Sequence, residues 1–139
     1  MTNNHTFFHQ YLQVSRMFTK KLNETLAQYD LYHSQWSIVY FLKEYGPSTL
    51  VEIGSYLNVE KPTVTRTVNR LEKRQLIEQV LSPNKREKRI QLTRAGEEIY
   101  KICRKEADHF EMQVIGDLTD EEKNIAFKIL SKLQEQLKK

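Results

Sequence analysis

Leu50-Val51-Glu52-Ile53-Gly54-Ser55-Tyr56-Leu57-Asn58-Val59-Glu60-Lys61-Pro62-Thr63-Val64-Thr65-Arg66 reads as two helices joined by a tight turn. Gly54 is the small residue where two helices can cross. Asn58 tolerates the left-handed backbone that the turn needs better than any other non-glycine residue. Ile53, Leu57, Val59, Val64, Val68 and Leu71 supply the apolar inner faces. Pro62 falls in the first turn of the second helix, where its missing N–H is harmless. The spacing predicts helices over 50–57 and 61–74, arranged as a helix-turn-helix. The alternative, a helical hairpin buried in a core, leaves the basic outer face of the second helix unexplained.

That face can be read residue by residue. At about 100° per residue, Val64, Val68 and Leu71 share one side. Pro62, Arg66, Asn69 and Lys73 lie opposite, flanked by Thr63, Thr65 and Arg70. Arg pairs with guanine in bidentate fashion, Asn pairs with adenine, and a Thr methyl touches the thymine methyl. Arg66 and Asn69 are the expected base readers. Lys61 and Thr63, at the helix start, are placed for a phosphate held by free backbone N–H groups. Arg70, Lys73 and Arg74 are expected to meet phosphates or face water.

Beyond the second helix the period changes from helical to alternating. Residues 76–81 form a short apolar-rich run, Ser82-Pro83-Asn84 a turn, and Arg89-Ile90-Gln91-Leu92 alternates. This predicts a two-stranded hairpin with a basic tip. Lys85, Arg86, Lys88 and Arg89 make that tip a wing suited to the negative minor groove, with Arg86 foremost. The alternative is a charged turn that keeps an edge strand soluble. A hairpin alone is marginal, so it must lean on the neighbouring helices.

The flanks are helical. Phe7, Tyr11, Val14, Phe18, Leu22, Leu26 and Tyr29 repeat every three or four residues over about six turns. A second helix is expected over 34–45, with Ser34 as its N-cap and Gly46-Pro47 as its stop. Thr93 can cap a helix carrying Ile99, Cys103, Ala107, Phe110 and Val114, broken at Gly116. Thr119-Asp120-Glu121-Glu122 has the capping-box pattern. The last helix carries Ile125, Ile129, Leu133 and Leu137, with Ala126 and Leu130 alongside. Phe7, Phe8, Tyr11, Phe110, Val114, Leu130, Leu133 and Leu137 exceed what one small core absorbs, so a second copy is expected to cover them. A dimer would hold two recognition helices about 34 Å apart, one DNA turn.

The fold class expected is mainly α with a small β-hairpin wing. Residues 34–93 form a winged helix-turn-helix lobe, and 1–33 with 94–139 form dimerisation helices. Charge supports this division. Residues 61–94 carry ten basic and three acidic side chains, +7, while the 139-residue chain nets +4. The excess marks one local anion-binding surface. One cysteine excludes an internal disulfide and a CxxC metal knuckle. The apolar stretch 31–42 is far short of a membrane span of about 20 residues. With no secretory signal, a cytoplasmic location is expected.

At this point the chain resembles the MarR family of winged-helix transcription regulators over nearly its whole length. The resemblance rests on 59–71, on Glu72-Lys73-Arg74-Gln75-Leu76-Ile77, on the basic wing, and on Ile90-Gln91-Leu92-Thr93-Arg94-Ala95-Gly96, which is similar to a V-x-L-T-x-x-G ending. It implies an obligate homodimer built on the first, fifth and sixth helices. It implies a pseudo-palindromic operator in duplex DNA, and usually repression relieved by a small ligand, often an aromatic acid. The implied pocket lies between dimer helices and DNA-binding lobe, where Phe18, Trp36 and Tyr40 are candidates; plain core is the alternative. Two departures stand out. Gln75 occupies a position where the family usually has Gly, and Asn84-Lys85-Arg86 lacks the Asp that normally orients the wing Arg.

Other signals are weaker. Cys103 lies on an apolar stripe and reads as a buried structural thiol, and the reactive first-helix cysteine of the family's peroxide sensors has no counterpart here. His5 and His9, and Glu106 and His109, have helical spacings that can ligate a metal. Without a clustered third ligand they read as surface histidines, and neither metal nor cofactor is expected. A metal-sensing regulator of the same family is one alternative. A winged-helix module that binds protein or RNA is another. No phosphate loop, nucleophile elbow or HExxH motif suggests an enzyme.

Overall fold

A computed structural model describes residues 3–81 and 87–139. It contains α1 (Asn4–Leu26), a 3-10 turn (Ala27–Tyr29), α2 (His33–Tyr45), β1 (Ser48–Thr49), α3 (Leu50–Leu57), α4 (Lys61–Lys73), β2 (Ile77–Val80), β3 (Arg89–Leu92), α5 (Arg94–Ile115) and α6 (Asp120–Leu137). The chain divides after Ala107 into two compact units.

In the first unit, the helix-turn-helix forms as its sequence dictates. Asn58 adopts φ 56° and ψ 48° and closes α3 by donating its N–H to the Gly54 carbonyl. A Cβ on Gly54 would lie 3.1 Å from the Val59 carbonyl oxygen, so a small residue is needed there. Ile53, Val64, Val68 and Leu71 are buried; Leu57 is half-buried, and Val59, expected on the inner face, is 38% exposed at the rim. Thr49 and Glu52 form a capping box at the start of α3.

The hairpin has more support than two strands provide. β1 pairs with β3 (Ser48 opposite Ile90, Thr49 opposite Arg89), giving an antiparallel sheet ordered β1-β3-β2. β2 and β3 pair from Ile77–Leu92 to Val80–Arg89, with Ile77 and Ile90 buried beneath. The N-cap of α2 is Tyr32, one residue before the helix, not Ser34. The reason is tertiary: Asn23 of α1 accepts the His33 N–H at 2.7 Å, and Gln35 accepts the Tyr32 N–H at 3.0 Å.

Thr93 caps α5 as expected and also clasps the loop before β2. Its hydroxyl accepts the Gly96 N–H at 3.0 Å and donates to the Gln75 carbonyl at 2.6 Å. Its own N–H donates to the Leu76 carbonyl at 3.0 Å. Gln75 sits at φ 59°, the left-handed region that costs an L-residue about 1–2 kcal/mol. Gln75→Gly relieves that strain but loosens the unfolded chain. We therefore expect it to stabilise the fold by up to about 1 kcal/mol, read as a higher urea midpoint at constant slope.

The second unit, Asp108–Lys139, holds the end of α5 and all of α6. Thr119 accepts the Glu122 N–H at 3.1 Å and Glu122 accepts the Thr119 N–H at 2.9 Å, the expected capping box. None of its residues is buried, and Val114, Ile125, Phe127, Leu130 and Leu137 are exposed. Among the described residues no helix is long and apolar enough to cross a membrane.

Candidate nucleic-acid interface

The candidate surface is the outer face of α4. Val64, Val68 and Leu71 anchor its inner face in the core. Lys61, Pro62, Arg66, Asn69, Arg70 and Lys73 are exposed on the other side, and Thr63 and Thr65 are half-buried between. The helix thus presents the predicted set on one surface. Arg66 and Asn69 lie one turn apart. The Arg66 guanidinium donates to the Thr63 hydroxyl at 3.3 Å, which gives a long flexible side chain a resting direction.

Beside this helix runs a groove of about 670 Å³ lined by Thr49, Leu50, Val51, Glu52, Lys61, Glu87 and Lys88. It joins the start of α3, the start of α4 and the wing base. Lys88 is exposed there; Lys85 and Arg86 lie outside the described residues. Arg89 behaves differently from a wing-tip cation. It is half-buried, 3.2 Å from Glu52 and 3.7 Å from Glu87, and it donates to the Pro47 carbonyl. Glu52 accepts from the Thr49 N–H and hydroxyl and faces Arg89; in that order these hold its carboxyl below the usual range. Glu52 thereby ties the helix-turn-helix to the sheet. The Thr49…Glu52 spacing carries the capping signal in the sequence, but the distant Arg89 partner has none.

Arg74 also departs from expectation. It points away from the α4 face, donating to the Asp30 and Tyr29 carbonyls beyond α1. Position on a helical wheel cannot foresee this, because Arg74 is the C-cap and not part of the regular helix.

The proposed pocket residues are in the same unit. Trp36 is buried and stacks on Tyr100 at 5.6 Å and 16°, with Tyr40 at 6.3 Å, while Phe18 is half-buried. A separate cavity of about 350 Å³ lies among α2, α3 and α4, lined by His33, Ser34, Ser37, Ile38, Leu57, Val59, Thr63, Val64 and Thr67. Its walls are mostly apolar with a few hydroxyls, the make-up of a small-molecule site. Thr63, Val64 and Thr67 belong to both this cavity and α4.

Cys103 is fully buried, and burial pushes its thiol up to about 11. The native fold therefore favours the neutral thiol over the thiolate. This stabilisation is complete below the thiol's ordinary value of 9.0 and fades as pH rises through about 11. At pH 8 an alkylating reagent should leave Cys103 intact in the native protein and modify it rapidly in denaturant; equal rates would contradict its burial.

The His5 and His9 rings stack at 6.4 Å, His109 lies 3.4 Å from Gln113, and Glu106 accepts the Tyr29 phenol at 3.2 Å. Among the described residues no group of three or more His, Cys, Asp or Glu could hold a metal.

A basic helix crossing a second helix at Gly54 and flanked by a small sheet defines a winged helix-turn-helix, a fold that docks its second helix in the major groove. Comparison with known proteins agrees. A model of the MarR family matches residues 31–88. The uncharacterized HTH-type transcriptional regulator YwoH of Bacillus subtilis is 43% identical over 120 residues, covering 86% of this chain and 88% of its own. The structure is similar to Staphylococcus aureus MarR in complex with salicylate and kanamycin, with TM-score 0.85 and 26% identity over 96% of this chain and 91% of that one. It shares its fold with an S. aureus MepR–DNA complex, at TM-score 0.85 and 24% identity over 98% and 99%. The chain belongs to the MarR family of HTH-type, DNA-binding transcriptional regulators.

Proposed function

We propose that the protein is a homodimeric repressor that reads a pseudo-palindromic duplex operator and is released by a small aromatic effector. The observation that carries this reading is the exposed basic face of α4, with Arg66 and Asn69 one turn apart over a buried Val64-Val68-Leu71 stripe. Residues 34–93 are the reading head, and residues 1–33 and 94–139 the dimer scaffold. Phe7, Phe8 and Tyr11 on α1, and Val114, Leu130 and Leu137 further on, are exposed in the single chain. Leaving that much apolar surface in water is costly, and a twin subunit covers it. Phe110 and Leu133, both half-buried, complete the proposed interface.

Within the head, Arg66 and Asn69 read bases. Lys61, Pro62, Thr63, Thr65, Arg70 and Lys73 set the helix against the backbone, and Lys85, Arg86 and Lys88 serve the wing. The salicylate bound to S. aureus MarR supports an effector of aromatic-acid type, with Phe18, Trp36 and Tyr40 as its candidate contacts.

The test combines sedimentation with selection of bound fragments from genomic DNA. The expected result is a dimer at micromolar concentration that selects two half-sites about one turn, 34 Å, apart. Salicylate should then release the selected fragment and restore its transcription in vitro. A monomer that selects single half-sites would overturn the reading.

A further inference from the structure

Arg74 closes the C-terminus of α4, and its side chain reaches back to the junction of α1 and α2. One guanidinium nitrogen donates to the Asp30 carbonyl and another to the Tyr29 carbonyl at 3.0 Å. Those carbonyls end the 3-10 turn, where Asp30 adopts φ 56°. Helix ends leave carbonyls without partners, and a planar fork satisfies two at once in one orientation. From the same turn, the Tyr29 phenol donates to Glu106 of α5 at 3.2 Å. The end of α4, the α1–α2 junction and α5 are therefore joined through one turn. Among the described residues no comparable tie appears at the start of α4, where Lys61 and Pro62 are exposed.

We propose that Arg74 is a positioning residue for DNA binding: its fork on the Tyr29 and Asp30 carbonyls, continued by Tyr29 to Glu106, fixes the pose of the recognition helix on the long helices. Arg74 touches no DNA in this role. It sets where each reading head points and hence which half-site spacing the dimer accepts. The inference rests on the homodimer proposed above.

The test uses the full-length protein and the tightest duplex selected from a random library by the wild type. A series is made with one base pair inserted or deleted between half-sites, together with a duplex carrying one half-site. Arg74→Met keeps the apolar stem and removes the fork; Arg74→Lys keeps the charge as a single point. Both should remain dimers with wild-type circular dichroism and bind the single half-site as wild type does. On the native spacing they should bind about tenfold more weakly, a typical coupling effect, and their preference over the altered spacings should flatten. Tyr29→Phe breaks the far end of the tie and should flatten the profile in the same direction, so the proposal stays testable if Arg74→Met does not fold.

Variants that keep the wild-type spacing profile would overturn the proposal. So would a uniform loss on every duplex with a salt slope shallower by about one, which marks a phosphate contact. A wild-type protein with no spacing preference would instead overturn the homodimer reading.

Discussion

Gly96→Ala is expected to destabilise the fold by about 3 kcal/mol and lower its melting midpoint by about 10 °C, the largest effect of an added methyl at any of the chain's glycines. A Cβ at this position would lie 2.1 Å from the Leu76 carbonyl oxygen and 3.2 Å from the Leu92 side chain. The first obstacle is backbone, so no rotamer change removes it. The Leu76 carbonyl is also held in place, because it accepts the Thr93 N–H at 3.0 Å. Moving it disturbs the Thr93 hydroxyl, which bridges Gln75 and Gly96. The clash therefore acts on the clasp that holds α4, β2, β3 and α5 at one junction. Alanine returns at most about 1 kcal/mol of helix propensity, too little to compensate. Urea unfolding at fixed protein concentration measures the loss. Gly54→Ala is the internal comparison: its Cβ meets the Val59 carbonyl at 3.1 Å, so a few tenths of an ångström suffice and the loss is smaller. Equal midpoints for Gly96→Ala and wild type would show that the α5–Leu76 contact is not tight.

Which parts of this architecture the sequence reveals depends on how local their causes are. The helix-turn-helix is legible because its demands are met by single residues at fixed spacing: Gly54 at the crossing, Asn58 in the turn, Pro62 at the helix start. The Thr119–Glu122 cap is legible for the same reason. β1 is not, because two residues carry no period and Ser48-Thr49 becomes a strand only by pairing with Ile90 and Arg89. The start of α2 depends on Asn23, which lies in the preceding helix. Arg89 and Arg74 show the same limit on the site side. Both sit in a run of cations, where sequence assigns them to the anion-binding surface. Partners at Glu52, Tyr29 and Asp30, distant in sequence, withdraw them from it. The exposed α4 cations are left as the proposed reading surface.

On that surface the sharpest result expected is for Arg66→Ala. It should weaken operator binding by about 1–3 kcal/mol per half-site while leaving nonspecific binding nearly unchanged. Arg66 is exposed, and it donates a long hydrogen bond to the Thr63 hydroxyl. Its removal should therefore change stability little. Losing affinity without losing stability is what separates a base reader from a structural residue. In a dimer both half-sites lose the contact, so the total effect approaches twice the single value. Lys73→Ala is the control at the other end of the exposed face. A phosphate contact carries no sequence information, so its loss should weaken every duplex alike and make the salt slope shallower by about one. Titrations of operator and unrelated duplex across a range of salt distinguish the two patterns. Arg66→Ala should lower the ratio of the two affinities, whereas Lys73→Ala should lower both and keep the ratio. If Arg66→Ala binds the operator as tightly as wild type, base reading falls to Asn69 with Thr63 and Thr65, and α4 must dock rotated from the pose proposed here.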